Sequence, residues 1–397
     1  MPFPFSITET FEGSFEINEI RKWLKELRSR FEAPSINLTL IFVSPKFSEH
    51  SGLLLSLIND ELDSGLVVGC TSSSLISNGT EFEGIEGFSI GLFHLPDTQL
   101  KATYFNQKDV EQGEDADHWR QRTETTEPNG WIVVADPFNM DLEDWLRQWN
   151  RTFPDVPILG GLASGPLGNN QTEIYLDDQV YTAGGIAIAI QGAIQLRSVI
   201  SQGCTPIGEP WTVTHANRNV LEQIGNRPAY EVLVETANQL PPVQAAQVQG
   251  NLFVGLVINE YADEFKRGDF LIRNLLGADP ESGKLAIGAL PRPGQTVQFQ
   301  LRSPEAASED LRSLLAEAAT QFENEEIIGG LLCTCNGRGK RLFGRPSHDA
   351  DTIHQFFDQI PLVGFFCNGE LGPVARQNFL HGYTASLALF TRPTTRE

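Results

Sequence analysis

Three glycine-bearing segments stand where an apolar run ends, and small polar residues follow two of them. They are Gly69-Cys70-Thr71-Ser72, Gly160-Gly161-Leu162-Ala163-Ser164 and Gly364-Phe365-Phe366-Cys367-Asn368-Gly369. Read as tight turns at strand ends, they leave backbone N–H groups without ladder partners. Lacking a Cβ, glycine also lets a ligand approach the main chain closely. Several amides aimed at one place make a nest for a carboxylate. The plainer reading is that these glycines only make tight turns, and a duplicated structural solution would look the same.

Other residues add side-chain chemistry. Ser201-Gln202-Gly-Cys204-Thr-Pro-Ile-Gly-Glu-Pro210 predicts a rigid, irregular loop between strands near 197–200 and 211–214. Such loops are where sites are built, although a buried structural thiol is the alternative role for Cys204. Arg273 and Arg302 stand near apolar strands, where a guanidinium holds a carboxylate through two parallel hydrogen bonds. Ion pairs with acidic neighbours are the alternative. Glu370, beside the Asn368-Gly369 turn, offers an acceptor for a ligand ammonium. Cys367 and His381 offer a nucleophile and a base, but neither their spacing nor a nearby thiolate-lowering cation supports catalysis.

Several signatures are missing. There is no Gly-x-x-x-x-Gly-Lys-[Ser/Thr] phosphate loop, and Gly161-Leu-Ala-Ser-Gly165 is not a nucleophile elbow. Cys333-Thr-Cys335 lacks a second pair at zinc-finger spacing. No cofactor, metal or catalytic residue is expected. Asn336-Gly-Arg338-Gly-Lys-Arg341, a compact basic run, reads as a hairpin turn whose charges face water.

The elements that position these residues repeat. An amphipathic helix over 17–31, with Ile17, Ile20, Leu24, Leu27 and Phe31 on one face, leads into a strand at 36–43. Three units of strand, helix, strand, tight turn and strand then follow. The first runs from 36–43 through a helix near 48–62 and a strand at 66–68 to 88–93. The second has strand 131–135, a helix near 141–150, strand 158–159 and strand 185–190. The third has strand 331–333, a helix near 350–359, strand 362–363 and strand 383–390. The fold class is therefore α/β of the mixed α+β kind, in two halves, with mixed parallel and antiparallel sheets and helices packed on a face. The acidic stretch 105–130 reads as a long surface excursion. The uncharged, Pro- and Gln-rich seam 238–250 separates an N-terminal domain over 36–237 from a C-terminal domain over 251–390. Residues 1–35 are the lead-in and 391–397 a frayed tail.

Composition bounds the partners. With 29 Lys and Arg against 51 Asp and Glu, the 397-residue chain carries a formal net charge of −22. That opposes binding to nucleic acid or to an anionic membrane surface. Five scattered cysteines suggest reduced thiols rather than a disulfide framework. No basic, then apolar leader opens the chain, and no apolar run approaches 18 residues. A cytoplasmic location is expected.

Three strings stand out in the first half: Val68-Gly-Cys-Thr-Ser, Ile158-Leu-Gly-Gly and Ser201-Gln-Gly-Cys-Thr-Pro-Ile-Gly-Glu-Pro-Trp-Thr-Val-Thr. The second half has Asp269-Phe-Leu-Ile-Arg-Asn-Leu-Leu-Gly, Cys335-Asn-Gly-Arg-Gly, Phe365-Phe-Cys-Asn-Gly-Glu-Leu-Gly-Pro and Asn378-Phe-Leu-His-Gly-Tyr-Thr. On these strings the chain resembles, over residues 36–390, the FIST proteins, a family named for F-box and intracellular signal transduction: the first set resembles its N-terminal domain and the second its C-terminal domain. The resemblance implies a sensory module that binds small ligands such as amino acids. It also implies a signalling partner, because some members are fused to an F-box or to bacterial signalling domains. The segment before residue 36 is too short for an F-box beside its helix, so a stand-alone sensor is expected. Three functions stay open: binding of a small carboxylate or amine metabolite between the two halves, a protein-interaction module, and a cysteine enzyme using Cys367 or Cys204.

Overall fold

Leu-Thr-Leu-Ile-Phe-Val at 38–43 has no polar face, and it forms a strand buried on both sides. Such strands belong inside layered sheets. The computed structural model describes residues 5–166 and 170–394. They divide into two units. The first lies within Met1–Ile200, Arg312–Leu380 and Thr384–Glu397, the second within Ser201–Leu311 and His381–Tyr383.

In the first unit one order of elements recurs three times. The first repeat has β1 (Ser6–Glu12), α1 (Ile17–Arg30), β2 (Leu38–Val43), α2 (Ser51–Leu62), β3 (Val67–Thr71), the hairpin β4 (Ser74–Ser77) and β5 (Thr80–Glu83), and β6 (Gly87–Phe93). The second has β7 (Thr98–Phe105), α3 (Gln107–Gln112), α4 (Ala116–Thr123), β8 (Gly130–Ala135), α5 (Leu142–Thr152), β9 (Ile158–Leu162), the hairpin β10 (Ile174–Leu176) and β11 (Gln179–Tyr181), and β12 (Gly185–Gly192). The third opens with β13 (Gln195–Ser201), and the chain of the second unit is then inserted. That unit has β14 (Cys204–Asn217), β15 (Val220–Ile224), β16 (Arg227–Pro228), α6 (Ala229–Asn238), α7 (Pro242–Gln247), β17 (Leu252–Val257), β18 (Phe270–Asp279), β19 (Lys284–Ile287) and β20 (Thr296–Arg302). The third repeat resumes through α8 (Pro304–Gln321), β21 (Glu325–Cys335), α9 (Lys340–Phe343), α10 (His348–Phe356), β22 (Leu362–Cys367), the hairpin β23 (Glu370–Val374) and β24 (Gln377–His381), and β25 (Ala385–Pro393).

Among the described residues these repeats form three six-stranded sheets of identical plan: β1-β6-β2-β3-β10-β11, β7-β12-β8-β9-β23-β24 and β13-β25-β21-β22-β4-β5. Each pairs its two inner strands in parallel, with an antiparallel neighbour beside them. Each also takes its last hairpin from another repeat. The first repeat lends β4–β5 to the third, the third lends β23–β24 to the second, and the second lends β10–β11 to the first. This cyclic exchange ties the three repeats into one compact unit. Leu40, Phe42, Ile132, Val134, Leu331 and Val363, from all three sheets, share one buried core. The outer face of the first sheet is covered by Ile20, Leu24 and Leu27 of α1 with Leu54 and Ile58 of α2.

In the second unit β14-β20-β17-β18-β19-β15 closes through a β14–β15 pairing, giving an antiparallel barrel without free edges along that ring. Val254, Leu256, Val297, Phe299 and Leu301 fill it, with Val232 and Leu233 of α6 in the same cluster.

Three local expectations change. Residues 105–130 are not a loose excursion: they form α3 and α4, and Trp119 is fully buried with its indole N–H donating to Gln148 at 2.9 Å. The segment 204–210 is not a loop but part of β14, irregular where its pairing with β20 shifts between Ile207 and Trp211. Arg338 does not face water, since its side chain is 0% exposed against Asp349.

Candidate functional site

Of the glycines expected in turns, Gly369 lies in the bend between β22 and β23, but four others lie inside strands. Gly69 is in β3, Gly160 and Gly161 in β9, and Gly364 in β22. Each of Gly69, Gly160 and Gly364 faces one residue of the neighbouring parallel strand, namely Ile41, Val133 and Leu332. A Cβ would fall 1.7, 1.9 and 2.0 Å from those residues' carbonyl oxygens. Glycine is required for strand-to-strand approach, not for ligand approach.

The strand ends do converge, and they are filled. Ser164 N donates to Thr71 O at 3.1 Å, and Asn368 N donates to Leu162 O at 3.1 Å. The third corner is closed by a hydroxyl: Ser73 N donates to Ser164 Oγ at 2.9 Å, and Ser164 Oγ donates to Phe366 O. Ser72 Oγ also reaches Phe366 O, at 2.9 Å. The amides of Thr71, Ser72, Leu162 and Ala163 donate to Glu173, Val43, Gly369 and Ala135. The anticipated nest is therefore occupied by the protein's own acceptors. Ser73, Asn336 and Asn368 extend the ring outward, with Ser73 Oγ on Asn336 Oδ1 at 2.6 Å and Asn336 Nδ2 on Asn368 Oδ1 at 2.8 Å.

Beneath the ring lie the thiols. Cys70, Cys333 and Cys367 are buried, and burial pushes all three well above an ordinary thiol. None is poised as a thiolate nucleophile. Cys367 Sγ lies 3.1 Å from Glu370 Oε1 and 3.3 Å from Thr334 O, while Thr384 N donates to Glu370 Oε2 at 3.2 Å. Glu370 is fully buried, and burial pushes its carboxyl up to about 8. Buried against Cys367 and Thr384, it is not an open acceptor for a ligand ammonium.

The remaining sequence candidates, Gln202, Cys204, Arg273, Arg302 and His381, belong to the second unit. Strand alternation separates the two arginines. Arg273 pairs with Val254, whose side chain enters the barrel, whereas Arg302 alternates with Leu301 and points to the other face. On that outer face β20 presents Gln298, Gln300 and Arg302 in a row, and all three are buried. Val257, Phe270 and Ile272 form a small apolar cluster there with Cys204 and Phe253, and Tyr383 packs on it. The Arg302 guanidinium lies 5.5 Å from the Phe253 ring and 4.8 Å from the Tyr383 ring, a stacking geometry that fixes a cation. Arg302 also reaches Asn251 Oδ1 at 3.4 Å, and Tyr383 Oη donates to Asn274. Gln202 Nε2 donates to Phe270 O at 2.7 Å, and Cys204 pairs with Arg302 across the ladder. His381 is buried.

Gln300 is the residue that sequence reasoning missed. It is 1% exposed, and its Nε2 has no hydrogen-bond partner among the described residues. Gly255 makes room for it: a Cβ there would lie 2.7 Å from that nitrogen. An orphaned buried amide costs about 1–3 kcal/mol. The signal was available in Thr296-Val-Gln-Phe-Gln-Leu-Arg, but alternation alone reads the polar half as solvated.

The family model described as the FIST N domain matches residues 37–227, and that described as the FIST C domain matches 229–373. An uncharacterized protein of Mycobacterium tuberculosis is 36% identical over 353 residues, 89% of this chain and 91% of that protein. An uncharacterized protein of Mycobacterium bovis is 35% identical over 359 residues, 90% and 91% of the two chains. An F-box/LRR-repeat protein of Arabidopsis thaliana is 30% identical over 130 residues, 29% of this chain and 25% of that one. No helix among the described residues is long and apolar enough to cross a membrane.

Proposed function

The chain belongs to the FIST family, and from that premise we propose that it is a cytoplasmic sensor that binds a small carboxylate-bearing metabolite on the outer face of the second unit's barrel. An amino acid is the simplest such ligand. The observation that carries this reading is the unpartnered Gln300 amide, two residues from Arg302 on one strand face. A guanidinium held by two aromatic rings is oriented before any ligand arrives, which lowers the ordering entropy of binding. The buried amide gains its missing acceptor, and Phe253 and Tyr383 supply apolar surface for a side chain. Output passes to a signalling protein partner.

Thermal unfolding against a panel of amino acids and other small carboxylates tests this. A specific ligand at one hundred times its dissociation constant adds about 2.7 kcal/mol. The gain should vanish in Gln300→Leu and Arg302→Met variants whose ligand-free melting stays cooperative. If no amino acid shifts the wild-type midpoint, the amino-acid version fails.

A second reading, a docking module for another protein, is favoured by the exposed Tyr261, Val243, Leu276 and Leu290, all in the second unit. A stoichiometric protein partner purifying with the chain, unaffected by Gln300→Leu, would support it instead.

A further inference from the structure

Glu81 sits on β5, in the hairpin that the first repeat lends to the third, where β4 pairs with β22. Its side chain enters the third repeat and is buried, with the residue 4% exposed. Oε1 accepts from Asp349 N at 2.9 Å and from Ala350 N at 3.1 Å, the first-turn amides of α10. Oε2 is buried with no partner among the described residues. Glu81 N donates to Ser347 Oγ at 3.1 Å. Two residues along the hairpin, Glu83 Oε1 accepts from Lys340 N at 2.8 Å, at the start of α9. The hairpin thus holds the third repeat through two carboxyl groups that cap its helices.

The charged groups facing Glu81 come from several elements. Asp349 of α10 makes a two-pronged ion pair with Arg338, at 2.6 and 2.9 Å, and accepts from Thr334 Oγ1 at 3.1 Å. His348 Nδ1 lies 2.9 Å from Asp349 Oδ1, and its ring stacks on Phe343 at 3.5 Å. His354 of α10 packs against Gly79 in the hairpin's turn. Arg345 and Asp351 pair at 3.6 Å, half-exposed. Arg338 already satisfies Asp349, so an ionised Glu81 would be a second buried anion with half its oxygens unpaired. Burial and the Asp349 charge oppose ionisation of Glu81, while the helix amides and the Arg338 charge favour it.

We propose that the β4–β5 hairpin is a proton-operated latch, closed on α10 while Glu81 is a neutral acid and loosened when that group ionises. Burial, followed by the Asp349 charge, pushes Glu81 up to about 8 from an ordinary 4.5. A closed latch therefore holds one more proton than an open one between those values. Closure is strongest below about 4.5 and weakens as pH rises to about 8.

Hydrogen exchange of the full chain, followed on peptides covering residues 74–83 and corrected for intrinsic rates, tests the latch. From pH 5 to pH 8 the protection of these amides should fall about 400-fold in the wild type. In Glu81→Gln, which keeps the acceptor oxygen but cannot ionise, it should change no more than a few-fold. Glu83→Gln should retain the wild-type fall. An equal fall in Glu81→Gln overturns the latch. If that variant does not fold, a flat wild-type profile between pH 5 and pH 8 overturns it equally.

Discussion

Ser73 and Ser164 belong to different repeats, yet the amide of one donates to the hydroxyl of the other at 2.9 Å. Each of the other two corners of the strand-end ring has a direct backbone bond, Ser164 N to Thr71 O and Asn368 N to Leu162 O. Ser164 thus stands in for a missing backbone bond, relaying it to Phe366 O. Replacing Ser164 with Ala leaves a half-buried donor without its acceptor and removes one of two hydroxyl donors to the Phe366 carbonyl. The expected loss is about 2 kcal/mol, read as a shift of the chemical-denaturation midpoint with an unchanged slope. Ser164→Thr, which keeps the hydroxyl, should recover part of it.

The glycines inside the strands should be far less tolerant than a glycine in a helix. Ala at 69 or 364 drives a methyl into the carbonyl of Ile41 or Leu332. At Gly160 it also demands a φ of +137°, which L side chains rarely adopt. Each change should cost ~3 kcal/mol or more, because the atom met is backbone and cannot turn away. Gly52 in α2 has nothing within 4 Å of a Cβ, so Gly52→Ala should be neutral or stabilising by up to about 1 kcal/mol. Equal midpoints for Gly69→Ala and Gly52→Ala would contradict the strand-contact account.

The sequence showed the strands and their order far better than their partners. Apolar runs such as 38–43 and 131–135 mark strands because burial on both faces leaves no polar side. Nothing local says that β4 leaves its own repeat to pair with β22, since any edge strand offers the same unpaired groups. The helices at 107–123 were hidden by their polar faces, although Trp119 was the clue to a buried side. Arg338 was misread because a basic run normally faces water. Its partner Asp349 lies eleven residues on, across a turn and a short helix, and periodicity does not see such pairs. At the candidate site Arg302 was visible as a cation near a strand end. Gln300 was not, because strand alternation assigns the outer face of a barrel to solvent, whereas here that face is buried.

The Arg338–Asp349 pair has a pH signature of its own. Arg338 and His348 hold the Asp349 carboxyl well below the usual carboxylate range, against the opposing effect of burial. A depressed folded value stabilises the protein above the unfolded value near 3.8 and loses that contribution as pH falls toward the folded one. Asp349→Asn removes a buried partner and strands Arg338, at an expected cost of about 3–5 kcal/mol at pH 7. The gap between variant and wild type should narrow as pH drops below about 4. A gap that stays constant down to pH 2 would mean that the ion pair is not what stabilises this corner.

Thiol chemistry separates a binding protein from a cysteine enzyme. Cys70, Cys204, Cys333 and Cys367 are buried, whereas Cys335 at the end of β21 is partly exposed. Burial raises Cys70, Cys333 and Cys367, so at pH 7.5 their thiolate fraction is negligible and access is blocked as well. Alkylation of the native protein, read by mass spectrometry, should modify Cys335 first and at no more than the rate of a free cysteine. The other four should react only once denaturant opens the fold. Rapid, selective labelling of Cys367 or Cys204 in the native state would instead require a thiolate-stabilising group, and would restore catalysis as the leading reading.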